Sequence, residues 1–366
     1  MLQGKTVVLG VTGSIAAYKM ANVASMLKKL NCDVHVIMTR NAVNFINPIT
    51  FESLTGNKCL VDTFDRNFQF HIAHVSLAKK ADLLLVAPAT ANMIAKLAYG
   101  IADDMLSTTA LACQCPLFIA PAMNTRMFHH PTVKENLETL RHRGATIISP
   151  ESGLLACGDI GDGKLVKEEI LLDYIIKELA FPKDMVGVKV LVSAGPTRES
   201  IDPVRYITNH SSGKMGYEIA RHCMLRGADV TLVSGPTALA PVPFVTMVPI
   251  ESADDMFEAI KAISDEQDII IKAAAVADYR PTETATEKIK KKDDDMSISL
   301  ERTKDILQYL GTNRKEGQFI CGFSMETQNM LENSRKKLQK KHIDMIVANN
   351  LKDQGAGFGL SLIHIY

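Results

Sequence analysis

The apolar positions of the chain fall into short continuous runs, separated by polar turns and amphipathic segments. In the first half, buried strands are predicted at residues 5–11, 33–38, 81–87 and 116–120. The segments between them predict helices, including one up to about Leu30 and one over 104–112. A recurring strand, polar turn and helix is typical of a doubly wound parallel sheet of the α/β class, flavodoxin-like or Rossmann-like.

The second half of the chain repeats this pattern once. Segments 227–234 and 267–271 parallel segments 31–38 and 81–85. Because the pattern repeats only once, it predicts a second three-layer, Rossmann-like α/β domain and not a solenoid.

A stretch of weak periodicity at 180–187 separates the two halves, and a new strand is predicted at 188–193. We therefore expect two domains, residues 1–187 and 188–366. A chain of 366 residues can build two such cores.

Composition narrows the class of protein. The hydrophobic fraction of 46% and the charged fraction of 22% are those of a soluble globular protein. Lys plus Arg and Asp plus Glu both number 41, which gives no reason to expect nucleic acid or an anionic membrane as a partner. The apolar run 7–11 is too short for a signal peptide, and no stretch is long enough to span a bilayer.

The seven cysteines form no regular disulfide framework, which suggests reduced thiols and a cytoplasmic protein. Cys113 and Cys115 form a C-x-C pair, but no second pair of ligands lies nearby in the sequence. Buried structural thiols are therefore favoured over a metal site at this pair.

Polar residues follow several of the predicted strands. The small-residue turn 12–19 joins the first strand to the first helix, where free N–H groups and the helix dipole favour a phosphate. The G-x-G-x-x-G fingerprint is absent, which argues against NAD and leaves a mononucleotide open. Thr39, Thr90, Asn92 and Asn124 also lie at strand ends, where the ligands of such sheets collect.

Residues 156–163 form a short predicted loop with one cysteine, three glycines and two aspartates. It lies between a strand predicted at 145–149 and a helix predicted at 166–178. Its residues alone leave two interpretations open, a mobile surface turn or a reactive thiol at Cys157.

Two loops of the second half carry candidate chemistry. Loop 208–216 is not a P-loop, because Thr208 and Met215 stand where a glycine and a hydroxyl are required, but a lysine-bearing turn at a helix start favours an anion. The lysines of 288–292 would ordinarily indicate a solvated loop.

Four motifs of the first half resemble the flavin-containing cysteine decarboxylases. They are GSIAAYK at 13–19, HVSL at 74–77, PAMN at 121–124 and ACGDIG at 156–161. They are most similar to the decarboxylase half of the bifunctional coenzyme A biosynthesis proteins, which combine phosphopantothenoylcysteine decarboxylase with phosphopantothenate–cysteine ligase.

This resemblance implies FMN, which takes a hydride from the substrate and later returns it. His74 is implied in acid–base help, Asn124 in holding the substrate carboxylate and Cys157 in late protonation. His71 and His74 are equivalent by residue type, and the family spacing of eight residues before Asp82 selects His74. The implied FMN-binding residues are Gly13, Ser14, Thr39, Thr90, Asn92, Ser107 and Met123.

Three motifs of the second half resemble the ligase half of the same family. They are ITNHSSGKMG at 207–216, AAVADYR at 274–280 and EKIKK at 287–291. The resemblance implies activation of phosphopantothenate by CTP, with Asn209 contacting the acyl-cytidylate, Lys288 stabilising charge and Mg²⁺ near Asp278. The implied nucleotide-binding residues are Lys272, Ala273, Ala274, Asp278, Lys288, Lys304, Asp305, Ile306, Leu307, Phe323, Lys337 and Lys341.

The chain departs from the family pattern at two places. Lys304 replaces a proline that the family often has, and we expect the nucleotide contact to survive. The family continues beyond 349–350 with further ligase strands, whereas this chain ends with the different segment 359–366. An alternative is therefore a decarboxylase whose ligase half is inactive.

The resemblance also implies a homo-oligomer, in which decarboxylase trimers assemble to a dodecamer and ligase domains dimerise. Flavin prenyltransferase-like or peptidyl-cysteine decarboxylase activity would leave the ligase motifs unexplained. A non-catalytic flavoprotein subunit that regulates a phosphatase would have lost one of His74, Asn124 and Cys157, and all three residue types are present. An NAD-dependent reductase is disfavoured because the dinucleotide fingerprint is missing.

Overall fold

The computed structural model describes residues 1–64, 73–291, 295–326 and 330–350. The chain divides into two compact units, Met1–Phe181 and Pro182–Tyr366, so the division falls inside the predicted linker 180–187. Within the described stretches, no helix has both the length and the apolar character needed to cross a membrane.

The described part of the N-terminal unit contains a five-stranded parallel sheet with the strand order β2-β1-β3-β4-β5, and an antiparallel hairpin, β6–β7. The strands are β1 (Thr6–Val11), β2 (Asp33–Met38), β3 (Leu83–Ala89), β4 (Leu117–Pro121), β5 (Thr146–Ile147), β6 (Glu151–Leu154) and β7 (Ile160–Lys164). The helices are α1 (Lys19–Lys29), α2 (Pro48–Thr55), α3 (Ala73–Lys80), α4 (Ala91–Tyr99), α5 (Met105–Ala112), α6 (Thr125–Phe128), α7 (Pro131–His142) and α8 (Glu168–Leu179).

The apolar runs explain why this sheet is the core of the unit. Every residue of β1 and β3 is buried, as expected for strands that are covered by helices on both faces. Ile37, Val86, Ile94 and Leu106 belong to one core cluster, and burying a side chain of this size contributes about 1.5–3 kcal/mol. The parallel register keeps the carboxyl ends of β1, β2 and β3 at one edge of the sheet.

The described part of the C-terminal unit contains a six-stranded parallel sheet with the order β12-β11-β8-β13-β16-β17, and two antiparallel pairs, β9–β10 and β14–β15. The strands are β8 (Lys189–Ala194), β9 (Arg198–Ser200), β10 (Tyr206–Thr208), β11 (Asp229–Ser234), β12 (Thr246–Pro249), β13 (Ile269–Lys272), β14 (Tyr279–Pro281), β15 (Leu300–Arg302), β16 (Phe319–Glu326) and β17 (Met345–Asn350). The helices are α9 (Lys214–Leu225), α10 (Ala253–Ile263), α11 (Ile306–Thr312) and α12 (Met330–Lys341).

The second sheet is held by its own core, which includes Leu191, Met256, Ile270 and Ile320. Helix α9 lies close to strand β8 because Gly216 has no side chain. A Cβ at Gly216 would lie 2.5 Å from the Cβ of Ala194, so only glycine permits this approach. The predicted fold class, two α/β units built on parallel sheets, is confirmed.

Several predicted boundaries are wrong. Residues 160–163, predicted as loop, belong to strand β7, because they pair with β6 in an antiparallel hairpin. The strand predicted at 145–149 contains only Thr146 and Ile147.

Candidate active sites

A cavity of about 950 Å³ lies at the carboxyl ends of β1, β2 and β3 in the N-terminal unit. Four of the residues predicted to bind the cofactor line it, namely Gly13, Thr39, Thr90 and Asn92. Thr90 is placed there as the N-cap of α4, since its hydroxyl accepts a hydrogen bond from the Met93 N–H. These residues come from three separate strand ends, as the sequence predicts.

Thr12 fixes the relative positions of two of these strand ends, although it was not among the predicted site residues. Its buried hydroxyl donates to the Pro88 carbonyl at 2.6 Å and accepts from the Thr90 N–H at 3.0 Å. The end of β1 is therefore tied to the end of β3. Thr12 directly precedes Gly13, a predicted cofactor-binding residue, and this position in the turn is the sequence signal that could have identified it.

Ser107 is not among the residues that line this cavity. It is buried, its N–H donates to Asp104 Oδ1 at 2.8 Å, and the two residues form a capping box at the start of α5. Asp104 lines the cavity instead, together with Lys96, whose Nζ lies 2.7 Å from Asp104 Oδ2. Burial opposes the charged form of Lys96, but its hydrogen bonds to the Asp103 and Asp104 carboxylates outweigh burial and raise its pKa.

A second cavity of about 380 Å³ lies beside the β6–β7 hairpin. Ser14, Met123, Asn124 and Cys157 line it, so the structure brings these four predicted residues together. The hairpin contacts the turn after β4 closely, because the Met123 N–H donates to the Gly163 carbonyl at 3.0 Å. A Cβ at Gly163 would lie 2.2 Å from the Met123 carbonyl oxygen, and the φ of Gly163 is +124°, so glycine is required there.

Asn124 and Cys157 are in direct contact. The Asn124 Nδ2 group donates to Cys157 Sγ at 3.3 Å and to Asp159 Oδ2 at 2.9 Å. Cys157 Sγ in turn lies 3.5 Å from the same Asp159 oxygen. Asn124 also caps the short helix α6, because its Oδ1 accepts from the Arg126 N–H at 2.8 Å. Asp159 is a site residue that sequence reasoning missed.

His74 is half-buried on α3 and lines neither of these cavities. The structure therefore does not bring it together with Asn124 and Cys157 within one copy of the unit. His71 lies outside the described residues.

A cavity of about 520 Å³ lies at the end of β13 in the C-terminal unit. Ten of the twelve predicted nucleotide-binding residues line it: Lys272, Ala274, Asp278, Lys304, Asp305, Ile306, Leu307, Phe323, Lys337 and Lys341. The register explains the convergence, because Lys272 pairs with Gly322 of β16 and Phe323 is the next residue. The side chains of Lys337 and Lys341 are one helical turn apart on α12, as predicted.

Several charged side chains in this cavity interact directly with one another or with the backbone. Lys341 Nζ is bonded to the Asp305 carboxylate, and Lys337 Nζ donates to the Phe323 carbonyl at 3.2 Å. Burial alone would raise the pKa of Asp305, but its bonds to Lys341 and to the Gln308 N–H lower it. Burial, reinforced by the neighbouring Lys337 ammonium, lowers the pKa of Lys272 to about 8.

Lys304 lines the cavity but is also engaged with helix α10. Its Nζ lies 3.0 Å from Glu258 Oε1 and 4.7 Å from the centre of the Phe257 ring. Of the other predicted residues, Ala273 and Lys288 are not part of the lining.

Asn209 and Lys288 lie on loops outside this cavity lining. The Asn209 amide donates to the Ala275 carbonyl at 2.5 Å and its Oδ1 accepts from the Ser211 N–H at 3.1 Å, which fixes loop 208–216 against the extension of β13. Lys288 is exposed.

The backbone next to Lys288 is held by Asp202 and Arg205. The fully buried Asp202 carboxylate accepts from the Ile289 N–H at 3.1 Å, and Arg205 Nη2 donates to the Ile289 carbonyl at 2.9 Å. The Arg205 guanidinium also bonds to Asp202 and holds the pKa of that carboxyl well below its usual range. Asp202 and Arg205 were not predicted as site residues.

Two family models match the chain. A "Flavoprotein" model matches residues 1–180, and a model for the "DNA/pantothenate metabolism flavoprotein C-terminal domain" matches residues 185–365. The coenzyme A biosynthesis bifunctional protein CoaBC of Bacillus subtilis is 46% identical over 98% of this chain and 89% of its own length. The chain belongs to the CoaBC family. The CoaBC protein of Escherichia coli K12 is 41% identical over 98% of this chain and 89% of its own length.

Family membership confirms the predicted bifunctional enzyme of coenzyme A biosynthesis, a decarboxylase and ligase with a flavoprotein domain. It does not favour the decarboxylase-only or regulatory-subunit alternatives. Among solved structures, the C-terminal domain of a CoaBC protein is 50% identical over 45% of this chain and 79% of that chain, with a TM-score of 0.41. The FMN-dependent cysteine decarboxylase SpaF is 38% identical over 43% of this chain and 90% of that chain, with a TM-score of 0.40.

Proposed function

We propose that the two units carry out consecutive steps of coenzyme A biosynthesis. The C-terminal unit joins cysteine to 4′-phosphopantothenate with CTP, through an acyl-cytidylate. The N-terminal unit then decarboxylates phosphopantothenoylcysteine with FMN to give 4′-phosphopantetheine. The observation that carries the proposal is the convergence of ten predicted nucleotide-binding residues on one cavity in a chain that belongs to the CoaBC family.

The residues of the larger N-terminal cavity fit FMN. Its volume of about 950 Å³ accommodates a mononucleotide, and Thr39, Thr90 and Asn92 offer uncharged hydrogen-bonding groups. Arg40 lines the same cavity and can neutralise a phosphate. A Cβ at Gly13 would lie 2.7 Å from the Asn41 Cβ, so the glycine keeps this wall open. When bound, FMN supplies a reversible hydride acceptor.

Asn124 and Cys157 supply the remaining chemistry of decarboxylation. Asn124 donates to the substrate carboxylate without a formal charge, so it does not over-stabilise the carboxylate before carbon dioxide leaves. The Cys157 thiol lies 3.3 Å from the Asn124 amide, where it can protonate the carbon skeleton that carbon dioxide has left. His74 gives acid–base help at the thiol or the flavin. Its position outside both cavities of its own unit favours a site completed by another copy.

Self-association would also cover apolar side chains of the N-terminal unit. Tyr99 is 72% exposed, Leu111 64% and Ile49 58%, which is costly for large apolar side chains left in water. We infer a homo-oligomer in which decarboxylase units form trimers that assemble to a dodecamer, and ligase units dimerise. The seven cysteines of the chain are all free thiols, which supports a cytoplasmic location.

The C-terminal cavity suits a nucleoside triphosphate because lysine side chains are held in place in its lining. Lys337 and Lys341 stand on one face of α12, and Lys272 stands at the strand end. Their ammonium groups neutralise the charge of the phosphates and of the leaving pyrophosphate. Lys288 and Asn209 act on the acyl-cytidylate, and the Asp202–Arg205 pair holds the backbone that carries Lys288.

Mg²⁺ is proposed at Asp278. Among the described residues, no group of three or more His, Cys, Asp or Glu side chains could hold a metal ion. A protein can nevertheless bind Mg²⁺ with one or two carboxylates when substrate phosphates and waters complete the shell. The exposed Asp278 carboxylate in the cavity lining fits this mode.

The proposal is tested by two separate assays of the purified chain. The first looks for bound FMN by its absorbance and for carbon dioxide release from phosphopantothenoylcysteine. Absence of both would refute the decarboxylase half of the proposal. The second measures pyrophosphate release, which must require CTP, Mg²⁺ and 4′-phosphopantothenate together.

A further inference from the structure

The side chain of Asn124 uses all of its hydrogen-bonding groups within the protein. A primary amide has two N–H donors and one carbonyl acceptor. In Asn124 the donors bond to Asp159 Oδ2 at 2.9 Å and to Cys157 Sγ at 3.3 Å, and the carbonyl oxygen accepts from the Arg126 N–H at 2.8 Å. No side-chain donor of Asn124 is left over for a ligand in this arrangement.

The group on the first of these donors is itself a carboxylate. In the proposed function Asn124 donates to the carboxylate of the substrate, which is an acceptor of the same chemical type. We propose that Asp159 occupies the position of the substrate carboxylate on Asn124, and that a substrate has to displace it. This inference rests on the proposed role of Asn124.

The same displacement would release the proton donor. Cys157 Sγ lies 3.5 Å from Asp159 Oδ2, so the thiol proton is donated to the carboxylate that the substrate removes. The turn is closed by two backbone bonds, from the Leu155 N–H to the Asp159 carbonyl at 2.8 Å and from the Gly158 N–H to the Leu155 carbonyl at 2.9 Å. Cys157 and Asp159 are thus part of one closed turn. A single movement of that turn frees both the carboxylate position and the thiol.

Two carboxylates cannot share one amide donor at low cost, because like charges at this separation repel. The Asp159→Asn substitution removes the charge and keeps the shape of the side chain. It is therefore expected to strengthen the binding of ligands that carry a carboxylate, and to leave ligands without a carboxylate unaffected. A residue that only stabilised the hairpin would change the affinity for both kinds of ligand together.

The test uses two matched probes and isothermal titration calorimetry on the flavin-loaded protein. N-(4′-phosphopantothenoyl)-alanine keeps the carboxylate but has no thiol to oxidise, and the corresponding N-ethyl amide lacks the carboxylate as well. In Asp159→Asn we expect the dissociation constant of the alanine probe to fall about fivefold, with the ethyl probe unchanged within a factor of two. An equal change for both probes, or weaker binding of the alanine probe, would overturn the inference.

Asp162→Asn is the matched control. Asp162 lies on the same hairpin and is paired with His129 at 3.0 Å, away from Asn124, so it makes the same change of charge without touching the proposed position. In Asp162→Asn, the ratio of the dissociation constants of the alanine and ethyl probes should stay at its wild-type value. If Asp162→Asn strengthened the binding of the alanine probe as much as Asp159→Asn does, the effect would come from general electrostatics. That result would refute the role of Asp159.

Asn124→Ala separates this inference from the proposed function. If Asn124 holds the carboxylate, this variant loses affinity for the alanine probe and keeps affinity for the ethyl probe. An unchanged ratio in Asn124→Ala would refute the role of Asn124 itself. A changed ratio in Asn124→Ala together with an unchanged ratio in Asp159→Asn would refute only the displacement of Asp159.

Discussion

The two units share an architecture, but their candidate sites differ in the residues that line them and in how those residues are distributed. Four lysines and two aspartates line the C-terminal cavity. Lys341 is bonded to Asp305, Lys337 Nζ donates to the Phe323 carbonyl, and most of the predicted residues converge within one copy. The N-terminal residues divide between two cavities, and His74 lines neither. One cavity therefore gathers most of the predicted residues of the C-terminal unit, whereas those of the N-terminal unit are spread over two cavities and helix α3.

The largest expected effect lies in the N-terminal unit. Cys157→Ser should slow the formation of 4′-phosphopantetheine by at least about a hundredfold, because general acid help of this kind is worth 10²- to 10⁴-fold. The variant should still oxidise its substrate and accumulate the enethiol product of decarboxylation, measured by mass spectrometry. CTP-dependent pyrophosphate release should be unchanged.

Cys113→Ser is the control for this variant, since Cys113 is another thiol of the same unit that lines none of the described cavities. Its rate of 4′-phosphopantetheine formation should match the wild type. Normal turnover by Cys157→Ser would remove Cys157 from the mechanism.

The next largest effect lies in the C-terminal cavity. Lys341→Met removes a cation from the phosphates and leaves the exposed Asp305 carboxylate without its lysine partner. Bonds of charged groups contribute about 1.5–3 kcal/mol, so the KM for CTP should rise between about tenfold and a hundredfold. Lys315→Met, which removes a surface lysine paired with Asp265 at 3.0 Å, should leave it unchanged. Equal KM values in the two variants would contradict the assignment of the cavity to CTP.

Asp202→Ala tests whether the loop that carries Lys288 depends on its buried anchor. Loss of the bonds to Ile289 and Arg205 should lower ligase kcat/KM about tenfold, since misplacing a catalytic group is costly. Trypsin should also cleave faster after Lys288. Asp184→Ala breaks a similar but exposed bidentate pair with Arg226 and should change neither measurement. Unchanged trypsin cleavage in Asp202→Ala would show that Asp202 does not hold the loop that carries Lys288.

The smallest effect concerns pH. The pKa of Lys272 is lowered to about 8, so its ammonium is lost as the pH rises through 8, whereas an ordinary lysine keeps its charge to about 10. If CTP binds the protonated form, its KM should rise roughly eightfold between pH 7.5 and 9. Lys272→Gln should flatten this dependence. A KM for CTP that is constant over this range would mean that Lys272 does not face the phosphates.

The contrast between the units also explains what the sequence could predict. The C-terminal cavity is built largely from two contiguous motifs, 272–278 and 303–307, and from an i, i+4 pair on one helix, so local patterns were sufficient. The contact of Asn124 with Asp159 joins residues 35 apart, and that of Asp202 with Ile289 joins residues 87 apart. Such contacts depend on how the hairpins pack, which no local pattern reports.

Ser107 shows a different kind of difficulty. Its spacing from Asp104 is that of a capping box, a local signal that was available in the sequence. The resemblance to the family suggested a cofactor contact, but the serine hydroxyl and N–H are used in the helix cap. Its predicted role with FMN remains a prediction, and Asp104 is the member of the pair that lines the cavity.

One coupled assay tests the central claim that this chain performs both reactions in sequence. The purified protein is given 4′-phosphopantothenate, CTP, Mg²⁺ and cysteine labelled in its carboxyl carbon, and pyrophosphate and labelled carbon dioxide are measured together. The account predicts one labelled carbon dioxide for each pyrophosphate, and neither product when CTP is omitted. Pyrophosphate without labelled carbon dioxide, or labelled carbon dioxide without CTP, would contradict it.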